Sequence, residues 1–552
     1  MSEANVRRLQ QLLARYEPGK AYDLVIEDLE ATLSTSRRNI SNIMKSLSEL
    51  GWVNWSPSVG RGKTSKLTVV RDVNEALIEL ITSELQSGRF TLITRLLESY
   101  GSMAVTALSI ATECQSNKNQ SDDHLLIAQY PWVDVLDPVS TYRLAELQVI
   151  KSIYATLLRQ GDDGEIYSCI AHTWEMTGNT ITLWIRPDVI CHDGQNLTAD
   201  DVVYCIQRLC QVDGPVQHLF EQVKEAKVSG LRQVSLTLAY PNPLFLYALC
   251  SSNASIYRKR SVHFSASHAA FVGSGPFAIA SWDNEKLTLK RHHQFFCRRA
   301  LLESITLSSN GDLAEQYLSF NDHEGEKESF VINALSYLTA NYRAGADISP
   351  TTLSQLMAFI DQQRRHHDPD NAVIGLNFSP AITPDTTSDI PQLSGRLVLT
   401  QPPLTLPILK EIAQWLHHTI RLTGLTLEIL DLNNISDPST VREQADMLFI
   451  EESIEQPYEF GLYEWLLISS GLRFAYSDEE RRDHERRVQQ ALASSYPQAA
   501  LETIEQDLYQ SYRFLPLFNG REEVYRTVEV QGIDIRKTGY SEFFKLWIAH
   551  NR

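Results

Sequence analysis

The fold of this chain is decided by the stretch Ile181-Thr182-Leu183-Trp184-Ile185-Arg186-Pro187, His192-Asp193-Gly194, Leu197-Thr198-Ala199-Asp200-Asp201-Val202-Val203. Its first run alternates apolar and polar residues, which is the periodicity of a strand. Asp193-Gly194 is a turn signal, because glycine tolerates positive φ. Thr198 and Asp201 have the spacing of a capping box, and apolar residues then recur at helical spacing. The stretch therefore predicts a strand, a tight turn and a helix, as in an α/β domain.

Two further blocks accompany this stretch. They are Val135-Leu136-Asp137-Pro138 upstream and Gly273-Ser274-Gly275-Pro276-Phe277 downstream. Together with the stretch above and His172-Thr173-Trp174-Glu175 before it, they resemble the signature of the oligopeptide-type extracytoplasmic solute-binding proteins, family 5. The resemblance implies an α/β two-lobed domain, like a type II periplasmic binding protein, that closes over its ligand by hinge motion. It covers most of residues 124–552, with a family core at about 160–490.

Length and charge divide the chain unevenly. At 552 residues it is too long for one ordinary domain. Its net charge of −18 should repel nucleic acid and anionic membranes. Residues 1–70 are the exception, with ten Lys and Arg against seven Asp and Glu. Any contact with nucleic acid is therefore expected in this N-terminal segment.

The sequence favours a cytoplasmic protein without a membrane partner. The first 25 residues contain charged side chains and no continuous apolar core, so they do not resemble a signal peptide. No run approaches the roughly 18 apolar residues of a membrane-spanning helix. The seven cysteines form no Cys-x-x-Cys pair, which favours reduced thiols.

Residues 1–70 predict a winged helix-turn-helix, mostly α. The helix-turn-helix lies at about 25–50: a short second helix, the turn Ser34-Thr35-Ser36 with an N-cap, and a third helix from about Arg37 to Leu50. Ile40, Ile43, Leu47 and Leu50 are its expected buried stripe. A hairpin follows at about 52–70, and its basic, glycine-rich tip is typical of a wing.

The chemistry of this segment fits double-stranded DNA. Arginine can bind guanine and asparagine can bind adenine in the major groove, whereas basic wing residues meet phosphates. The candidate DNA-binding residues are Ser36, Arg37, Arg38, Asn39, Ser41, Asn42 and Lys45 on the third helix, with Arg61, Lys63 and Lys66 on the wing. The alternative is a solvated basic helix in a small structural domain.

Three further helices are expected between residues 71 and 112. They could dimerise the head, making a homodimer, or cap the hairpin, and the sequence leaves both open. Residues 113–123 are polar and apolar-poor, so we expect a linker. The expected domains are thus 1–112, the linker 113–123 and 124–552.

One block of the C-terminal domain carries the candidate ligand residues Glu451, Glu452 and Ser453. In peptide-binding relatives of the family, an aromatic residue and an Asp that holds the peptide amino terminus lie in this block. Counting back from Pro457, Ser453 falls on the Asp position and Ile450 on the aromatic one. The departure leaves open whether the ligand is a peptide, and the two acids could simply be solvated.

Enzyme chemistry finds no support in the sequence. Histidines occur as adjacent pairs, not at the i, i+4 spacing of helical metal ligands, and no Gly-x-Ser-x-Gly elbow is present. No catalytic residue, metal site or cofactor is predicted.

The whole chain resembles the SgrR family of transcriptional regulators. The resemblance rests on Ser36-Arg37-Arg38, Gly51-Trp52, Trp55, Val59-Gly60-Arg61-Gly62-Lys63 and Leu67-Thr68 together with the solute-binding blocks. It implies a cytoplasmic regulator of sugar-phosphate stress that senses a phosphosugar, activates a small-RNA gene and represses its own gene at promoter DNA. The alternative is a cytoplasmic solute- or peptide-binding protein whose N-terminal domain binds a protein partner.

Overall fold

The structure of the protein is a computed structural model. It describes residues 3–57, 64–86, 90–116, 123–265, 267–312, 314–320, 325–365, 389–404, 406–433, 437–535 and 541–550.

The N-terminal region begins with helices and a small sheet and continues with three longer helices. In chain order its elements are α1 Glu3–Leu13, β1 Ala21–Leu24, α2 Ile26–Leu33, α3 Arg37–Glu49, β2 Val53–Ser56, β3 Ser65–Val69, α4 Val73–Gln86, α5 Phe90–Tyr100 and α6 Ser102–Ser116. This region is called the head below.

The predicted winged helix-turn-helix is present. Helices α2 and α3 form the helix-turn-helix, and β2 pairs antiparallel with β3 as the wing hairpin. Strand β1 was not predicted. It pairs antiparallel with β3, which gives the sheet order β1-β3-β2. Four residues are too few to show a periodicity, so only the pairing with β3 defines this strand.

The head has one hydrophobic core, to which α4, α5 and α6 contribute. Helix α3 buries Ile40, Met44 and Leu47, whereas Ile43 and Leu50 of the expected stripe are only half-buried. Helix α6 continues to Ser116, four residues into the predicted linker, because no Gly or Pro interrupts it. The start of the linker at residue 113 was therefore wrong.

The remaining chain, called the module below, alternates strands and helices. Its first part comprises β4 His124–Ala128, α7 Leu144–Ile153, β5 Ala155–Thr156, β6 Leu158–Gln160, β7 Ile166–Ser168, β8 Ala171–Thr177, β9 Thr180–Ile185, α8 Ala199–Gln211, α9 Gln217–Phe220, β10 Val223–Gly230, β11 Gln233–Leu238, α10 Phe245–Ala248, β12 Ser255–Ile256, β13 Arg258–His263, β14 Ala269–Val272, β15 Phe277–Trp282, β16 Lys286–Arg291, β17 Ser304–Ser308 and β18 Tyr317–Ser319. Its second part comprises β19 Glu326–Ala340, α11 Pro350–Arg365, β20 Arg396–Gln401, α12 Pro407–Leu422, β21 Thr426–Asp431, β22 Met447–Ser453, α13 Tyr458–Ile468, α14 Ser470–Ala475, α15 Asp478–Leu492, α16 Pro497–Gln510, β23 Phe514–Arg526, β24 Val530–Gln531 and β25 Trp547–Ile548.

A mixed sheet runs through the whole module, in the order β15-β16-β17-β4-β18-β23-β19-β22-β20-β21. The two long strands β19 and β23 pass between two hydrophobic cores. The larger core includes the sheet β10-β11-β9-β8 and helix α8, and the second lies between the sheet and helices α11 and α12. Helices thus pack on both faces of the sheet, as expected for an α/β architecture.

The stretch that decided the fold prediction has the expected structure. Strands β8 and β9 pair antiparallel, the turn follows with Gly194 at φ +77°, and α8 begins at Ala199. The capping box is present: Asp201 N donates to Thr198 Oγ1 at 3.2 Å, and Thr198 N donates to Asp201 Oδ2 at 3.0 Å. These local bonds satisfy backbone donors at the start of α8.

Candidate nucleic-acid interface and solute cleft

Helix α3 exposes one polar face. Its predicted DNA-binding residues are all exposed: Ser36, Arg37, Arg38, Asn39, Ser41, Asn42 and Lys45. The turn before the helix forms because Ser34 adopts φ +46° and ends α2. Ser36 occupies the N-cap position, but its side chain makes no capping bond. The expected N-cap is therefore positional only.

Two charged side chains of α3 make only weak ion pairs. Arg37 lies 3.6 Å from Glu27, and Lys45 lies 3.8 Å from Glu49, with all four side chains mostly exposed. Such surface pairs are worth at most about 1 kcal/mol, so DNA phosphates or bases can replace them. Arg38 makes no hydrogen bond or ion pair with any residue that the structure describes.

The wing is positioned from its base. Trp52 is fully buried, and its Nε1 donates to Glu79 Oε2 of α4 at 2.8 Å. Lys66 lies on β3 with its side chain exposed. Arg61 and Lys63, predicted at the wing tip, lie outside the described residues.

The three predicted ligand residues end strand β22, but the sheet separates them. Glu451 pairs with Ser336 of β19 and Ser453 pairs with Ala334, so both face the same side. Glu452 faces the other side, where Tyr337 Oη donates to it and Ser470 N donates to its Oε1 at 2.8 Å. Glu452 is thus a structural group that holds α14 against the sheet.

Glu522, on β23, was not predicted as a site residue from the sequence. This side chain is buried, 5% exposed, and it pairs across the ladder with Phe330. The alternation of β23 and β19 places Glu522 on the same side of the sheet as Glu451. No local pattern could have shown this, because the two residues belong to different strands far apart in sequence.

A bulge separates the two acids along the strands. The ladder of β19 and β23 shifts register between Val331 and Leu335, where Gly520 alone opposes the extra residues. A Cβ on Gly520 would lie 2.7 Å from Ile332 Cγ1 and 2.8 Å from Ala334 Cβ, so only glycine fits. Glu451 and Glu522 therefore lie on the same side of the sheet, with the bulge between them along the strands. We take this face, around Glu451 and Glu522, as the candidate solute cleft.

The acids in the cleft are poorly satisfied. Glu451 Oε2 and Ser453 Oγ are buried without a hydrogen-bond partner among the described residues. Burial raises the pKa of Glu451 to about 7. Burial, and then the charges of Glu451 and Glu523, raise the pKa of Glu522 to about 8. Buried polar atoms without partners are uncommon, so this face suits a ligand that donates hydrogen bonds or carries positive charge.

The described residues contain no group of three or more side chains placed to hold a metal ion. Their helices also lack one that is both long and apolar enough to cross a membrane.

Comparison with known families accounts for both halves. Residues 6–119 match the family described as "Sugar transport-related sRNA regulator N-term". Residues 165–339 match "Bacterial extracellular solute-binding proteins, family 5 Middle". The chain joins an SgrR-type N-terminal domain to a family 5 solute-binding domain. The SgrR-type match covers the winged helix together with α4–α6, and the family 5 match includes β8, β9 and α8.

Relatives match along nearly the whole chain. The HTH-type transcriptional regulator SgrR of Pectobacterium atrosepticum is 23% identical over 98% of this chain and 99% of its own length. The uncharacterized protein YhjP of Bacillus subtilis is 22% identical over 97% of each chain. The SgrR-type and solute-binding domains thus occur together, in this order, in other chains.

A solved structure confirms the fold of the solute-binding domain. The crystal structure of Haemophilus influenzae OppA, in complex with the peptide RPPGFSPFR, matches with a TM-score of 0.62. It is 14% identical and covers 78% of this chain and 99% of its own. The predicted type II two-lobed fold is therefore confirmed.

Proposed function

We propose that this protein is a one-component, cytoplasmic transcriptional regulator that reads promoter DNA with its head and binds a small solute in the cleft of its module. The polar face of α3 carries this proposal, because all seven of its predicted DNA-contacting side chains are exposed while its apolar face is buried. A helix of this kind enters a major groove, and a basic wing contacts the adjacent phosphates. The names of the SgrR relatives support the same role.

As the solute we propose a sugar phosphate, with the regulator activating a small-RNA gene under sugar-phosphate stress and repressing its own gene. The description of the N-terminal family supports this choice. In the cleft, Glu451 and Glu522 would accept hydrogen bonds from sugar hydroxyls. Arg521, next to Glu522 in sequence, is half-buried and unpaired among the described residues, but strand alternation turns it to the other face.

A second class of solute is favoured by the same acids. A ligand with an ammonium group, such as a peptide amino terminus, would neutralise Glu451 and Glu522 directly. Ser453 Oγ, two residues beyond Glu451 on the same face, would complete the set of polar contacts. This class differs from the first in the sign of the charge it brings into the cleft.

The deciding experiment measures binding of the full chain to its own upstream DNA across salt concentrations, with no solute, with glucose 6-phosphate and with a dipeptide. A DNA-binding head predicts a log–log salt slope of about −0.9 for each phosphate contacted. A shift caused only by glucose 6-phosphate supports the sugar phosphate, and one caused only by the dipeptide supports the amine. Salt-independent or absent DNA binding would contradict the regulator and favour a head that binds a protein partner.

The cleft is tested in the same assay by Glu451→Gln. The substitution keeps the shape of the side chain and removes its ability to become charged. Loss of the solute response without loss of DNA affinity places the solute at Glu451. A matched control is Glu443→Gln, an exposed acid of the module that lies outside the cleft strands.

A further inference from the structure

The head and the module meet through a small polar contact. Arg260 of β13 reaches Asp72, the residue before α4, with Nη1 2.6 Å from Oδ2. The same Nη1 lies 3.3 Å from Asp193 Oδ2, in the turn before α8. Asn74 of α4 donates to the backbone oxygen of Asp193 at 2.9 Å. Arg260 is thus shared between an acid of the head and an acid of the module.

These groups are largely withdrawn from water. Asp193 is 7% exposed, and the side chains of Asp72 and Arg260 are 14% and 24% exposed. Asp72 is also fixed within the head, because its Oδ1 accepts from Glu75 N at 2.8 Å. Removing one partner from such a group leaves the other charge buried and uncompensated, so the contact resists separation.

The rest of the junction is loosely packed. A cavity of about 160 Å³ lies beside Asn74, between α6 of the head and the Asp193–Asn196 turn of the module. Gly194 in this turn has only Thr106 and Asn74 nearby, at 3.8 and 3.9 Å from the position of a Cβ. The orientation of the head therefore depends on the ionic contact more than on apolar packing.

Docking leaves the reading face of α3 uncovered. The head contributes Gly19, which lies beside His263 of β13, the start of α4 and one side of α6 to the junction, whereas Arg38, Asn42 and their neighbours remain exposed. The junction can therefore set where α3 points without blocking its access to DNA.

A chain of direct contacts links this junction to the solute cleft. Beyond β22, Gln456 O accepts from Gln160 Nε2 of β6 at 2.5 Å. Strand β5 ends at Thr156, two residues before β6 begins, and it pairs with β12. Only Tyr257 separates β12 from β13. Arg258 and Arg260 lie on β13. The strand that carries Glu451 is thus connected to Arg260 by two pairings and short chain segments.

We propose that Arg260 couples the module to the head, so that the position of the lobes sets the orientation of α3 through the Asp72–Arg260–Asp193 contact. This coupling rests on the proposed function for its effect on DNA. Continuity of contacts alone does not demonstrate coupling. The test must therefore change Arg260 and measure both the junction and the binding to DNA.

Arg258 provides a matched control. It lies two residues from Arg260 on the same strand and binds the same Asp193, but it makes no ion pair or hydrogen bond with a described residue of the head. We therefore compare Arg260→Ala, Arg258→Ala and the charge-swapped double variant Asp72→Arg/Arg260→Asp in the full chain. Hydrogen exchange measures the first turn of α4 and the Cys191–Asn196 turn, and binding to upstream DNA is measured without added solute.

Arg260→Ala should raise exchange at both sites and change DNA affinity by about fivefold or more, the lower end of typical coupling factors. Arg258→Ala should raise exchange only in the Cys191–Asn196 turn and leave DNA affinity within about twofold. The charge-swapped variant should return both readings toward those of the wild type.

Unchanged exchange at α4 in Arg260→Ala overturns the contact itself. Raised exchange with unchanged DNA affinity overturns the coupling and leaves a structural contact. Equal effects of the two arginine variants on DNA also overturn it. Wild-type protein that fails to bind upstream DNA refutes the proposed function and with it the coupling to DNA, while the exchange data still decide whether Arg260 holds the head.

Discussion

At the scale of single residues, Arg38 differs from the other charged side chains of α3. Arg37 and Lys45 have weak acidic partners, whereas Arg38 has none among the described residues. An exposed arginine without a partner loses no ion pair when it binds a base edge. It is therefore our candidate for reading sequence, and Lys66 on the wing is our candidate for contacting phosphate.

Arg38→Ala should reduce discrimination between the operator and unrelated DNA by about 1–3 kcal/mol. Lys66→Ala should weaken binding to both DNAs alike and reduce the salt slope by about 0.9. Titration of both DNAs at several salt concentrations measures the two effects. Arg482→Ala, an exposed arginine of α15, is the control and should change neither. Identical behaviour of Arg38→Ala and Lys66→Ala would refute this division of roles.

Glu522 gives a second prediction at this scale. Because burial, Glu451 and Glu523 raise its pKa to about 8, the folded protein disfavours its charged form. Its contribution to stability is therefore fully present below about pH 4.5 and is lost as the pH rises to about 8. Glu522→Gln should raise the thermal midpoint at pH 8 and change it little at pH 5.

The control for this prediction is Glu443→Gln. Its parent side chain is exposed and is not among the groups that raise the pKa of Glu522, so the control should bring no gain at pH 8. Thermal unfolding from pH 5 to 8 distinguishes the two variants. Equal pH dependence in Glu522→Gln and the wild type would show that Glu522 is not held in a neutral form.

At the scale of elements, the long strands β19 and β23 stay paired across two register shifts. The second register shift lies between Ser336 and Tyr337. There Ser336 Oγ donates to Phe518 O at 3.0 Å and accepts from Phe518 N at 3.2 Å, so a side chain satisfies the backbone of Phe518. Gly520 fills the first shift, because no side chain fits between Ile332 and Ala334. Bulges of this kind let two strands continue as a pair although one of them has extra residues.

Gly520→Ala should destabilise the module by about 1–3 kcal/mol, the usual cost of overpacking. Gly311→Ala is a matched control, because the atoms nearest to its new methyl group would belong to the flexible side chain of Gln129, the closest at 3.3 Å. Chemical or thermal unfolding of both variants measures the difference. Equal midpoints would mean that the strands at the bulge shift easily, contrary to the close packing there.

At the scale of the whole molecule, the head and the module have separate hydrophobic cores. The head core contains residues from Val6 to Ala111, and the module cores contain none of these residues. The contact between them is ionic and adjoins a cavity. Such a junction transmits orientation but contributes little apolar burial, so the two parts should unfold separately.

Leu47→Ala tests this separation. Leu47 is fully buried in α3, and its truncation should cost about 2–5 kcal/mol. Calorimetry should show a lower transition for the head and an unchanged one for the module. Leu416→Ala, at a fully buried residue of α12, should lower the transition of the module and leave that of the head unchanged. A single transition that moves in both variants would show that the junction makes the chain one cooperative unit.

Much of the fold followed from local sequence. The strand, turn and helix at 181–209 and the third helix with its polar face were predicted correctly, because periods of 2.0 and 3.6 residues are visible in short windows. Strand β1 and the last turns of α6 were not. Four residues of β1 show no period, and the polar end of α6 has a composition that linkers share.

The candidate sites divide in the same way. By itself, the sequence determined which residues of α3 are exposed, because helical periodicity is a local property. Only the tertiary structure decided that Glu452 is a structural group, that Glu522 joins Glu451 across the bulge, and that Arg260 reaches Asp72 over 188 residues. Strand register and domain docking bring such residues together, and these long-range contacts leave no periodic trace in the local sequence.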